Sequence, residues 1–137
     1  MRCNIAFCYA GVLLLLFLSV GCKETSKSNE NQSTGFLEGT VTIGPLCPVE
    51  PCNLTTQQLT DAYAARKVIV YNSERTSAIK ELSLDQTGWF HAELVEGTYL
   101  VDINNTGIDR STEVPTTIRI KVGETITLNI SIDTGIR

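Results

Sequence analysis

From Phe36 to Asp133 the chain alternates apolar and polar residues with a period of two, segment after segment. Successive side chains of a strand point to opposite faces, so this pattern demands sheets with one buried side. In "FLEGTVTI" Leu37, Val41 and Ile43 share one face, while Glu38, Thr40 and Thr42 share the other. "KVIVY" from Lys67 is a β-branched run suited to a central strand, and "IKELSL" from Ile79 sets Leu82 and Leu84 together. "GWFHAELVEGTYLVDI" predicts two strands meeting at Glu96-Gly97, with Phe90, Ala92 and Leu94 on one inner row and Tyr99, Val101 and Ile103 on the next. "TIRIKVGETITLNISID" repeats the device across Gly123-Glu124: Ile118, Ile120 and Val122 face inward, then Ile126, Leu128, Ile130 and Ile132 in one continuous last strand. The expectation is an all-β, seven-stranded sandwich.

One segment departs from the alternation. In "LTTQQLTDAYAAR", Thr55 is followed three residues later by Gln58, a capping-box spacing, and Leu54 precedes Leu59 at the spacing of a hydrophobic staple. Leu59, Ala62 and Tyr63 then fall on one face. A short helix from Thr56 to about Ala65 is therefore expected after the first strand, laid against the sandwich.

The first residues, "MRCNIAFCYAGVLLLLFLSVGC", are a short basic start and an uncharged run of about 16 residues from Ile5 to Val20, below the roughly 20 that span a bilayer as a helix. The end of the run, Leu18-Ser19-Val20-Gly21-Cys22, resembles the lipobox of bacterial lipoproteins. That resemblance implies a signal peptide over residues 1–21, cleavage after Gly21, and acylation of Cys22 as the first residue of the mature protein. "KETSKSNENQSTG", residues 23–35, holds no large apolar side chain and reads with Cys22 as a flexible tether over residues 22–35. Residues 36–137 form the expected domain. Removing Arg2 with the signal from the 11 basic residues leaves 10 against 15 acidic ones, a charge near −5. Such a balance argues against a nucleic-acid partner and against electrostatic docking on anionic lipid, which leaves covalent lipid on Cys22 as the expected link to the membrane. Because Lys23 differs from the Asp-based inner-membrane retention signal, the resemblance favours an outer membrane.

Cys3 and Cys8 leave with the signal and Cys22 takes the lipid, so Cys47 and Cys52 remain as an even pair in an oxidising compartment. Zinc would need two further ligands, and the chain has a single histidine. Redox sites use two intervening residues at a helix start, whereas this pair has four, framed by Pro48 and Pro51. A disulfide closing a small rigid loop is the expectation.

Within the strand pattern, "GTVTIGPLCPVEPC", "DQTGWF", "EGTYLVDI", "VPTTIRIKVGE" and "IDTGIR" resemble the small bacterial lipoproteins that carry a carboxypeptidase regulatory-like domain, a prealbumin-like sandwich of Ig-like character. The resemblance implies that fold and no defined activity. The 5-hydroxyisourate hydrolases are similar sandwiches, but they use several histidines and a C-terminal Tyr-Arg-Gly-Ser. Here His91 stands alone and the chain closes on Gly135-Ile136-Arg137. By alternation His91 lies on the outward row with Trp89 and Glu93. A Lys67–Asn129 isopeptide bond beside Glu93 is disfavoured because Asn129 also falls outward. "LDQTG" and "INNTGIDRS" offer too few carboxylates for calcium and read as turns. No metal, cofactor or catalytic set is expected. Trp89, Tyr63 and Tyr71 are the candidate ligand-binding residues, should the fold bring them to one surface.

The function expected from the sequence is that of a non-catalytic, lipid-anchored binding or structural module of the bacterial cell envelope. Its partner would be an envelope protein or glycan. A carbohydrate- or peptide-binding accessory lipoprotein using the Cys47–Cys52 loop and nearby aromatics is the second reading, and a hydrolase of the transthyretin-like fold the third. Cys22→Ser is expected to accumulate as unprocessed, unlipidated precursor. Fractionation and intact mass check this, and a variant still cleaved after Gly21 and still acylated would contradict it.

Overall fold

The computed structural model describes residues 33–49, 51–104 and 106–137. The expected signal peptide 1–21, Cys22 and the expected tether up to residue 32 lie outside the described residues. Eight strands and one helix follow in order: β1 (Thr34–Gly44), α1 (Thr56–Ala64), β2 (Lys67–Asn72), β3 (Ala78–Ser83), β4 (Trp89–Val95), β5 (Gly97–Ile103), β6 (Thr116–Ile120), β7 (Thr125–Thr127) and β8 (Ile130–Asp133). They form the all-β sandwich that the alternation predicts. One sheet has β1 at its centre, antiparallel to β4 and parallel to both β7 and β8. The other runs β3-β2-β5-β6, antiparallel throughout.

The two inner faces meet in one core. Leu37 and Val41 of β1, Phe90, Ala92 and Leu94 of β4, and Ile130 and Ile132 of β8 pack against Val68 and Val70 of β2, Leu82 of β3, Val101 of β5, and Ile118 and Ile120 of β6. The links at Glu96-Gly97 and Gly123-Glu124 are arches between sheets rather than hairpins within one. At the first, the Tyr99 hydroxyl reaches back and donates to the Val95 carbonyl at 2.9 Å. At the second, Gly123 adopts a left-handed φ of +70°, and its N–H donates to the Thr34 carbonyl at 2.8 Å. Val122, expected on the inner row, is 53% exposed: β6 ends at Ile120 and Val122 rides on the arch.

The expected single last strand is two strands. Pairing with β1 keeps one register on both sides of the break, Glu38 with Thr127 and Val41 with Ile130, so no residue is inserted. Between them the Leu128 carbonyl turns over Gly39, where a Cβ would collide with it and come within 2.9 Å of the Phe90 ring. Hydrogen bonding is re-routed around this point: the Leu128 N–H donates to the Glu38 carbonyl at 2.8 Å, and the Thr40 N–H donates to the Asn129 side-chain oxygen at 3.2 Å. Asn129 faces outward as expected, and its amide replaces the backbone acceptor that a regular strand would supply.

Helix α1 carries the predicted capping box. The Gln58 N–H donates to Thr55 Oγ1 at 3.2 Å, and the Thr55 N–H donates to Gln58 Oε1 at 2.9 Å. It lies more loosely on the sandwich than its apolar face suggests: no residue of α1 is buried, Leu59 is 36% exposed, and Ala62 and Tyr63 are half-buried.

Gly39→Ala places a methyl group against backbone that has no rotamer with which to move aside. It is expected to destabilise the fold by about 2–3 kcal/mol, as overpacking of a filled interior does. Denaturant unfolding measures this, and a loss below about 0.5 kcal/mol, the size of an ordinary surface substitution, would show that the crossing at Gly39 is not tight.

Candidate functional site

At the C-terminal end of β1 the chain leaves the sandwich through a loop closed by a disulfide between Cys47 and Cys52, whose Cα atoms are 5.7 Å apart. The expected staple is present. By the loop-entropy relation a ring this small contributes only about 2 kcal/mol, so its main effect is to fix the route from β1 to α1. Thr134 of the C-terminal segment ties the same loop down: its N–H donates to the Gly44 carbonyl at 3.1 Å and its hydroxyl to the Pro45 carbonyl.

The other end of α1 is fixed by a buried ion pair that the sequence does not announce. Arg66 holds both oxygens of Asp109, through Nε at 2.7 Å and Nη2 at 3.1 Å, and its Nη1 donates to the Ala62 carbonyl at 2.8 Å. Both side chains are nearly buried, at 10% and 4% exposure. Beside them the Lys67 N–H donates to Asn104 Oδ1 at 2.7 Å, and Asn104 Nδ2 donates to the Ala65 carbonyl at 3.0 Å. A charge-assisted fork of this kind sets direction as well as distance. It therefore fixes where the segment after Asp109 runs.

That segment lies along the outer edge of β8. Arg110 and Asp133 exchange backbone hydrogen bonds at 2.9 and 2.8 Å, and Glu113 accepts from the Ser131 N–H at 3.3 Å. Between this cover and the β1–β8 pair lies a groove of about 630 Å³, lined by Thr42, Gly44, Arg110, Glu113, Ser131 and Asp133 among others. Two of its carboxylates are held ionised. The Ser111 hydroxyl, backbone N–H groups and the Thr112 hydroxyl bring Glu113 down to about 2, and the Arg137 guanidinium with the Gly135 N–H does the same for Asp133.

On the same outward face, three rings form a row along β1 and β4. His91 lies between Phe36, at 5.6 Å and 23° between planes, and Trp89, at 5.7 Å and 10°. Trp89 ends the row on the groove side: it stands opposite Thr40 in the β1–β4 register, and Thr42, two residues on, lines the groove. The indole is 46% exposed.

Of the three aromatic residues singled out from the sequence, two come to this end of the sandwich. The Tyr63 ring stands over Gly88, where a Cβ would come within 2.8 Å of it, and Trp89 follows directly. Tyr71 belongs to the other sheet, with the Arg75 guanidinium 5.6 Å from its ring centroid, and takes no part. Asp85 builds the turn into Trp89, accepting at one oxygen from the Thr87 and Trp89 N–H groups at 2.8 and 2.9 Å and from the Thr87 hydroxyl at 2.7 Å. Asp109 is engaged by Arg66. Both acids of the stretches weighed for calcium are thus bound within the protein. Among the described residues no three His, Cys, Asp or Glu side chains converge as a metal set. Phe36, Arg110, Glu113, Ser131 and Asp133 carry no local sequence signal as site residues, because the register of β1 with its neighbours assembles them.

No protein-family model matches the chain, and no curated protein matches it. Solved structures are similar to it in part. GBS52, the minor pilin of Streptococcus agalactiae, is 18% identical with a TM-score of 0.48, over 74% of this chain and 45% of its own. A DUF3823 family protein from Parabacteroides merdae is 18% identical with a TM-score of 0.44, over 74% and 47%. The Bacillus anthracis TIE protein is 17% identical with a TM-score of 0.45, over 74% and 16%. The chain thus spans less than half the length of each neighbour, and strand order and register define its fold here.

The groove carboxylates predict a pH dependence. Their folded-state values lie below the ordinary carboxylate range, so the stability they lend is complete above about pH 4.5 and is lost as pH falls through about 2. Carboxyl NMR titration should give midpoints near 2 for both, with the thermal midpoint falling over the same window. Midpoints near 4 would show that these hydrogen bonds do not form in solution.

Proposed function

We propose that this protein is a lipid-anchored, non-catalytic binding module of a bacterial envelope, held to the membrane, an outer membrane where one exists, through Cys22. Its ligand site is the outer face of the β1-centred sheet. The observation that carries the binding role is the exposed indole of Trp89, steadied by His91 and one strand step, Thr40 to Thr42, from a groove of mixed polar and apolar lining. Large aromatic side chains at the centre of a contact surface dominate binding energetics. Arrangement of His91 between two rings, with the groove beyond Trp89, gives the imidazole a packing role and favours binding over hydrolysis. The anchor rests on the lipobox resemblance.

Trp89 is the chain's single tryptophan, so its emission reports this surface alone. Soluble envelope extracts, fractionated into glycan and protein pools, are expected to shift that emission in at least one pool. Trp89→Ala should keep its circular dichroism spectrum and lose retention on that pool by about tenfold or more. An emission unchanged by every pool, with Trp89→Ala retained as well as the parent, would overturn the assignment.

A further inference from the structure

Resting on that binding role, we infer that Trp89 and the groove are two halves of one site for an uncharged pyranose chain, stacked on the indole and entering the groove along β1. Continuity comes from the register. Trp89 faces Thr40, and Thr42 lies about 7 Å further along the same face at the groove mouth. A ligand of a few sugar rings covers both, and an apolar pyranose face suits the exposed indole.

The groove chemistry selects the class. Thr42 and Ser131 offer hydroxyls, while those of Ser111 and Thr112 donate to Glu113. Arg66, Arg75 and Arg137 each hold a carboxylate, whereas the Arg110 side chain forms no ion pair or hydrogen bond among the described residues. Its fork of donors is available to ligand oxygens. Arg110 and Arg137 offset the ionised Glu113 and Asp133, the charge of Arg110 itself acting on Asp133, so the groove has no net positive charge with which to select an anionic chain. Those carboxylates are already engaged, Glu113 by Ser111 at 2.7 Å and Thr112 at 3.0 Å, and Asp133 by Arg137 at 2.8 and 3.1 Å. They therefore act as placed acceptors rather than as a trap for a cation. A peptide adding as a strand finds the β8 edge taken: Arg110 pairs with Asp133, and Glu113 holds the Ser131 N–H. Within the groove, hydroxyl groups are the ligand chemistry that its donors and acceptors fit. Arg66 is a positioning residue for this site, since its grip on Asp109 places Arg110.

The test titrates the lipidated full chain, and separately Arg110→Ala and Thr42→Val, with cellohexaose, maltohexaose and chitohexaose, with the matching disaccharides, and with hexagalacturonate as the anionic counterpart. Trp89 emission and calorimetry are the readouts, and circular dichroism checks each variant. At least one neutral hexasaccharide is expected to shift the emission and to bind about tenfold or more tighter than its disaccharide and than hexagalacturonate. Arg110→Ala should remove that length advantage while the emission shift at saturation persists, and Thr42→Val should weaken the hexasaccharide alone. Silence from all three neutral hexasaccharides overturns the inference, as does tighter binding of hexagalacturonate. Full affinity in both groove variants overturns the second half of the site. If an envelope protein pool shifts Trp89 while the sugars do not, the binding role stands and the glycan class falls.

Discussion

The sandwich depends on one close approach, the Leu128 carbonyl lying over Gly39 of β1. Through it a single strand of 11 residues serves as the pairing partner of β4 on one side and of both β7 and β8 on the other. Without a hydrogen in place of a side chain at residue 39, the last part of the chain could not bend there and still keep the register that sets Ile130 and Ile132 into the core. Everything that forms the groove follows: the β1–β8 pair is its floor, the segment after Asp109 covers the β8 edge, and the edge that would otherwise invite another strand is closed.

The inner rows were legible because they obey a purely local rule. Phe90, Ala92 and Leu94, or Val68 and Val70, are buried wherever a period-two segment has one wet side, and neighbouring strands need not be known. The helix start was legible for the same reason, since Thr55 and Gln58 satisfy each other within three residues. The break at Leu128-Asn129 was not, because it preserves register: an asparagine on an outward position looks like any solvated residue until its amide is seen accepting from Thr40, 89 positions away. Val122 shows the opposite failure. The alternation continued on paper past the point where the backbone had already turned to the other sheet.

The site was legible only in part. Trp89 was identified by type, and its outward position beside His91 by parity. Its neighbours depend on which strand pairs with β1 and in what register, which no local pattern encodes. Arg66 and Asp109 read as a loop cation and a turn acid, separated by 43 residues, yet they form the bidentate pair that directs the groove wall. Tyr71 was grouped with Trp89 by side-chain type and separated from it by sheet membership. Placement of a residue on a face is thus readable from sequence, while the meeting of faces is a property of topology.

The chain enters the domain at the Thr34 end of β1, and the groove lies at its Gly44 end. If the protein is held upstream of Thr34 and a ligand is held in the groove, any pull between them runs along β1 itself. The hydrogen bonds to β4, β7 and β8 stand across that direction, so they are loaded together in shear rather than opened one after another from an end. A domain held in that way would resist extension as a unit, with its central strand as the tension member between the proposed anchor and the proposed ligand.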